Sequence, residues 1–179
     1  AGEGGTEVRG LVGLQNLGNT CFINTCVQCL SNVAPFGNFF LHNHHMHKLN
    51  KSSSMKGTLV LSFGQLLHKV CHSAAYSSVS AATLRERVGK FAPQFTGFRQ
   101  HDCQELLRFL LDGLHEDMRC SVSVELLMNI FDFQPCYEHA AAAQASMIQY
   151  YEGNFSPIIS SFGGQLVSIL RCSACGHTS

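Results

Sequence analysis

The segment after Asp102 constrains the fold most. Leu106, Leu107, Leu110, Leu111 and Leu114 recur at i, i+4, i+8 and i+1, i+5, with Gln104, Glu105, Arg108 and Asp112 on the other side. That period predicts an amphipathic helix to about Met118, whose leucine stripe must be buried against other elements. Thr58 to Cys71 repeats the pattern with Leu59, Val60, Phe63, Leu66, Leu67 and Val70. Cys21 to Leu30 is mostly apolar at helical spacing, and its helix must end before Pro35. Ser80 reads as the N-cap of a short helix carrying Leu84, Val88 and Phe91, which Pro93 stops. Glu138 to Tyr151 is Ala-rich and reads as helix. After Asn154 the residue types change, and Ile158-Ile159 and Gln165 to Arg171 alternate as strands do. Helices followed by strands predict an α+β fold. His42 to Lys56, with four histidines and a serine run, reads as an exposed loop, and Cys120 to Tyr137 is more apolar than a surface linker needs.

A length of 179 residues fits one domain or part of a larger one. Twelve basic residues balance twelve acidic ones. A nucleic-acid or membrane-surface binder usually shows a basic excess, so neither partner is expected. No apolar run reaches the roughly 18 residues of a membrane span. Residues 1–9 are Gly-rich and polar and read as a flexible start. The first residue is Ala rather than Met, which points to an excerpt or a processed product. The nine cysteines are an odd number with no secretion signal, so reduced thiols in the cytoplasm or nucleus are expected.

Cys21 sits where the Gly/Asn-rich stretch Gly10 to Asn19 gives way to a helix. The first N–H groups of a helix lack internal partners and the dipole is positive there, which favours a thiolate and makes it a better nucleophile. Asn16, five residues earlier, is placed to aim its amide at the same spot, as an oxyanion hole requires. The plainer reading of Cys21 is a small buried apolar residue. Asp102 and Glu105 share one helix face at i, i+3, and such carboxylates suit a guanidinium; the plain alternative is an N-cap and a solvated side chain. Cys172-x-x-Cys175 followed by Gly176 has the spacing that grips a tetrahedral zinc from a turn. His177 is a chance third ligand. Cys26-x-x-Cys29 lies inside an apolar helix and reads as core rather than as the other half of a four-thiolate set with Cys172 and Cys175, and Cys71, Cys103, Cys120 and Cys136 read as structural. The His42 to His47 cluster reads as solvated rather than metal-binding.

Gly13-Leu14-Gln15-Asn16-Leu17-Gly18-Asn19-Thr20-Cys21-Phe22 resembles the cysteine box of the ubiquitin-specific proteases, which are papain-like deubiquitinases. Gly97 to Leu107 resembles their Gln-Gln-Asp box, with His101 where a second Gln is usual, and Leu110 to Asp117 continues it. Ser156-Pro157 through Gly163-Gly164-Gln165-Leu166 to Cys172 and His177 is similar to the opening of their fingers. The resemblance implies a papain-like α+β fold represented by the helical thumb (10–118), a variable helical stretch (119–155) and the first strands of the fingers (156–179). It implies Cys21 as nucleophile, Asn16 as oxyanion donor, Asp102 and Glu105 as the grip on the arginine-bearing ubiquitin tail, and Cys172 and Cys175 as half of a structural zinc site. The implied partners are ubiquitin and ubiquitinated proteins, and the implied reaction is thiol-dependent cleavage after the terminal glycine of ubiquitin. The alternative is an inactive ubiquitin-binding or scaffold module of the same ancestry. The family's Gly-His-Tyr block, with its general base, is not found in these 179 residues, so little turnover is expected from them alone.

Overall fold

The structure is a computed structural model that describes residues 12–72, 77–130, 140–166 and 168–177. The expected flexible start, residues 1–9, lies outside the described residues, as does Cys136. Eight α-helices are present among the described residues: α1 (Cys21–Ser31), α2 (Ala34–Leu41), α3 (Thr58–His72), α4 (Ala82–Phe91), α5 (Cys103–Met118), α6 (Val124–Ile130), α7 (Ala140–Tyr151) and α8 (Pro157–Phe162). Two short strands, β1 (Gly13–Leu14) and β2 (Ser78–Val79), pair in parallel, with Gly13 opposite Ser78 and Leu14 opposite Val79. The α+β class therefore holds with the sheet reduced to this pair among the described residues.

The periodic segments fold as their patterns require. Asp102 is extended and its carboxylate accepts from the Gln104 N–H at 2.7 Å, which starts α5. Leu106, Leu110 and Leu114 are buried, while Leu107 and Leu111 are half-buried at the edge of the same core. α3 lies at the centre, packed against α1, α2, α4 and α5. Its Leu59, Val60, Phe63, Leu67 and Val70 are fully buried. Ser80 caps α4 from one residue further out than a standard N-cap, its hydroxyl accepting from Ala82 N at 3.2 Å. α4 ends at Phe91, just ahead of Pro93.

Two expectations require correction, and one that holds, the end of α1 at Ser31 before Pro35, is extended. Pro35 does more than end α1: it occupies the first turn of α2, where its missing N–H costs nothing. That helix carries Phe36 and Phe40 into an aromatic cluster with Phe63, at centroid distances of 5.0–5.6 Å. The stretch from His42 to Lys56 is not a simple exposed loop. His45 sits in a 3-10 turn, His44–His47, and is 3% exposed, and Ser53 and Met55 are buried. Ile158 and Ile159 are helical, in α8, because the Ser156 hydroxyl accepts from Ile158 N at 3.2 Å and Pro157 pre-sets the first turn. No strand forms between 165 and 170 among the described residues.

The stretch 119–155 builds a small second core. Cys120 and Phe155 exchange backbone hydrogen bonds at 2.9 and 3.1 Å. Leu127 of α6 meets Met147 and Tyr151 of α7 beside Phe155. Leu127 and the half-buried Val122 are what this segment gives to that core, while Val124, Leu126, Met128 and Ile130 are exposed.

Two histidines make stability pH-dependent. Burial pushes His45 below the ordinary imidazole range, aided by nearby His68 and opposed by the Phe40 carbonyl. Burial likewise lowers His115, whose Nδ1 meets the buried Ser156 hydroxyl at 2.8 Å; Glu116 and Asp112 oppose the shift and Arg119 adds to it. Both prefer the neutral form when folded, so on acidification the unfolded chain takes up protons first. The associated stability is present above about pH 6.5, the unfolded imidazole value, and is lost as pH falls from there towards the folded values. Melting temperature is therefore expected to drop between pH 7.5 and 5.5, and His45→Phe with His115→Gln to flatten that profile. An unchanged slope in the double variant would remove both residues from this role.

Candidate active site

The loop before α1 is built by short-range hydrogen bonds. Gly18 and Asn19 have positive φ, +95° and +53°, and turn the chain sharply ahead of Thr20. The Asn16 side-chain oxygen accepts from Gly18 N at 3.1 Å, Thr20 N at 3.2 Å and the Thr20 hydroxyl at 3.3 Å. Two backbone donors on one atom fix which end of the amide is oxygen, so the NH2 group faces away from the turn. Thr20 is buried and its hydroxyl also accepts from Leu17 N at 2.9 Å. α1 holds the loop from behind. Asn24 Nδ2 donates to the carbonyls of Leu14 (3.3 Å) and Gln15 (3.1 Å), and Gln28 Nε2 donates to Val12 at 3.0 Å. Thr20, Asn24 and Gln28 were not singled out from the sequence, because polar residues in an apolar helix carry no sign of what they hold.

Cys21 is the first residue of α1 and its side chain is exposed. The sequence expectation of a thiol at a helix start is met, and the buried alternative is not. α1 and α5 are packed together, and three contacts bring the two motif segments to one place. Asn19 Nδ2 donates to the Phe98 carbonyl at 2.8 Å, Cys26 Sγ donates to the Cys103 carbonyl at 3.2 Å, and Phe22, the neighbour of Cys21, meets the His101 ring at 5.1 Å. His101 also faces Phe95 at 5.4 Å, and its Nε2 is buried without a partner. Asp102 and Glu105 line an open depression of about 330 Å³ with Gln104 and Arg108. Among the described residues the only ion pair is Arg119–Glu116 at 3.7 Å, so neither carboxylate is paired with Arg108 and both face solvent.

Gly18 is where this loop tolerates least. A Cβ there would lie 2.8 Å from the Phe98 ring at a φ of +95°. Gly18→Ala is expected to cost about 1–3 kcal/mol in backbone strain and to displace the Cys21 loop. Urea unfolding and the rate of Cys21 alkylation check this; unchanged values of both would show the loop to be slack.

The remaining cysteines separate into two groups. Cys26 is buried, and its thiol is pushed up to about 11 by burial and by nearby Cys103 and Cys29. Cys29, expected as core, is exposed, and so is Cys103, expected as structural. Cys29 lies on the solvent side of α1 and Cys103 at the open first turn of α5, positions that apolar neighbours in sequence do not reveal. Cys172 and Cys175 are exposed on a turn closed by Cys172 N to the His177 carbonyl (2.8 Å) and Gly176 N to the Cys172 carbonyl (2.9 Å). Gly176 has φ +72°. The backbone N–H groups of Cys175 and Ala174 point at the Cys172 sulfur and lower its thiol below the ordinary range. That donor set fits one side of a tetrahedral thiolate zinc site. Among the described residues no group of three or more His, Cys, Asp or Glu side chains is placed to hold a metal ion.

An exposed cysteine at the first turn of a buried helix, with an oriented amide before it and a carboxylate-bearing helix packed alongside, is the layout of the helical part of a papain-like thiol hydrolase. The comparisons with known proteins agree with that class. The family model described as ubiquitin carboxyl-terminal hydrolase matches residues 12–178, and this chain belongs to that family. It is 40% identical over 174 residues to ubiquitin carboxyl-terminal hydrolase 32 of Homo sapiens, covering 96% of this chain and 11% of the relative. It is 40% identical over 176 residues to ubiquitin carboxyl-terminal hydrolase 15 of Xenopus tropicalis, covering 97% of this chain and 18% of the relative. The chain thus spans between a tenth and a fifth of the length of these relatives. Among solved structures, the SAGA Ubp8/Sgf11/Sus1/Sgf73 DUB module bound to monoubiquitin matches with TM-score 0.62 at 17% identity, over 98% of this chain and 34% of that one. The same module bound to ubiquitin aldehyde matches with TM-score 0.52 at 23% identity, over 63% and 26%. At these identities the structural matches establish the fold.

Proposed function

We propose that this chain carries the nucleophile and the ubiquitin-tail grip of a cysteine-type deubiquitinase. The observation that carries the reading is the joining of the Cys21 loop to the start of α5 through Asn19, Cys26 and Phe22, beside the unpaired Asp102 and Glu105. In this reading the Cys21 thiolate attacks the carbonyl after the terminal glycine of ubiquitin. The Asn16 amide, held by its oxygen to the Gly18–Thr20 turn, donates to the developing oxyanion, a contact that supplies on the order of 3 kcal/mol in related chemistry. Asp102 and Glu105 receive the arginine of the ubiquitin tail, a directional and charge-assisted contact. An acyl-enzyme forms and water releases it. In this reading the general base is the histidine of the family's Gly-His-Tyr block, which is not found in these residues.

Cys172 and Cys175 would hold a structural zinc, with two further ligands needed to complete the tetrahedron. The zinc would order the turn and take no part in the reaction. Cys21, Cys26, Cys29, Cys103, Cys120, Cys172 and Cys175 are free thiols, which supports an intracellular setting. Among the described residues no helix is long and apolar enough to cross a membrane.

The experiment measures the rate at which ubiquitin carrying a C-terminal electrophile labels the full-length protein. Asp102→Asn with Glu105→Gln should slow labelling at low ubiquitin concentration about a hundredfold, two charge-assisted contacts being worth roughly 3 kcal/mol together. Ubiquitin whose tail arginine is replaced should lose the difference between the two proteins. Equal labelling of both by ordinary ubiquitin would refute the grip. An inactive ubiquitin-binding module would show the binding loss without any adduct.

A further inference from the structure

Between Glu7 and Glu86 the sequence contains no aspartate or glutamate. The same stretch carries Lys48, Lys51, Lys56 and Lys69, all exposed, and six of the ten histidines. A carboxylate does reach it from α5, that of Asp117, but it is fully buried and bound to Ser53, Gly57, Leu59 and Val60. The surface these residues form carries lysines and no exposed carboxylate of its own, although the whole chain has a formal net charge of zero.

An open depression of about 570 Å³ lies on this face, between the His44–His47 turn and α3. Met46 and Leu61 give it apolar walls, and Gln65, His68 and Lys69 give it a polar rim. Met46 is 51% exposed, a large apolar side chain left open to solvent. His45 also lines the depression. It is 3% exposed, its ring meets Phe40 at 5.0 Å, and its Nδ1 is buried with no partner. The ring is fixed by shape, since its Nε2 occupies the space where a Cβ on Gly64 would come within 2.6 Å. A buried ring nitrogen left unpaired is costly, and such groups in native proteins call for an explanation. None of Cys21, Asn16, Asp102 and Glu105 lines this depression.

We propose that this depression binds an acidic peptide segment of a partner protein, with an apolar side chain between Met46 and Leu61 and a carboxylate on Lys69. The apolar walls favour a peptide over single-stranded nucleic acid, because the lining has no aromatic face other than imidazole on which bases would stack. The binding is independent of the deubiquitinase reading.

The test is fluorescence anisotropy with the full-length protein and a fluorescein-labelled peptide alternating Asp and Glu with Leu. A control peptide has Asn and Gln in place of the acids, and labelled oligo-uridine RNA serves as the nucleic-acid arm. The acidic peptide should bind best and weaken as salt rises. Lys69→Glu should weaken it at least tenfold. Lys90→Glu, on α4, should have no effect. Absence of binding, equal binding of the amide peptide, tighter binding of RNA, or an unaltered affinity in Lys69→Glu would each overturn the proposal.

Discussion

Cys21→Ala is expected to leave the full-length protein unlabelled by ubiquitin bearing a C-terminal electrophile, with at least a hundredfold loss of rate, while the wild type gains a single ubiquitin. The prediction is sharp because several other thiols compete. Cys29, Cys103, Cys172 and Cys175 are all exposed, so exposure alone does not select Cys21. Selection comes from position: Cys21 opens an eleven-residue helix behind a turn that fixes the Asn16 amide. Cys26 is excluded by its burial and by a thiol held near 11. Loss of labelling in Cys21→Ala cannot be assigned to unfolding, since the side chain is exposed and alanine favours the helix. Intact mass and peptide mapping decide the matter. An adduct that persists in the variant, or that maps to Cys29 or Cys103, would take Cys21 out of the reaction.

The second large effect is on stability. Asp117 is the second-last residue of α5 and is 0% exposed. Its Oδ1 accepts from the Ser53 hydroxyl at 2.5 Å and Gly57 N at 2.9 Å, and its Oδ2 accepts from Leu59 N at 3.1 Å and Val60 N at 3.3 Å. One carboxylate thus satisfies the open donors at the start of α3, the central helix, and ties down the segment before it. A buried anion at a helix start gains from the dipole as well as from its hydrogen bonds. Asp117→Ala leaves several buried donors unpaired and should cost about 4 kcal/mol, a large share of the 5–15 kcal/mol that holds a typical domain. Asp117→Asn keeps one accepting oxygen and should cost about half as much. Urea unfolding monitored by circular dichroism checks both. A loss below about 1 kcal/mol in the alanine variant would show that α3 is capped in some other way.

Much of the candidate site was legible in the residues. The Gly/Asn loop before an apolar run located Cys21 at a helix start, and Asp102 ahead of the leucine stripe located the start of α5. Both depend on local rules, the 3.6-residue period and the satisfaction of terminal N–H groups, which act over a few residues. Ser156-Pro157 obeys the same rule and opens α8, yet the apolar pair after it was read as strand, because two isoleucines suit either element. The exposure of Cys29 and Cys103 was hidden for a different reason: burial is decided by neighbouring helices and not by neighbours in the chain.

The chain's own order of residues determined where α1, α3, α4 and α5 run, which thiol opens a helix, and which carboxylates stand at i, i+3. Tertiary structure alone decided that α1 and α5 meet at Phe22–His101 and Cys26–Cys103, that Asp117 caps a helix 57 or more residues away, and that His45 is buried in a segment composed like a loop. The physical reason is range. Caps and periodicity are settled by contacts within a turn or two, whereas a buried polar group is stable only where distant backbone or packing accommodates it, and no local pattern records that partner.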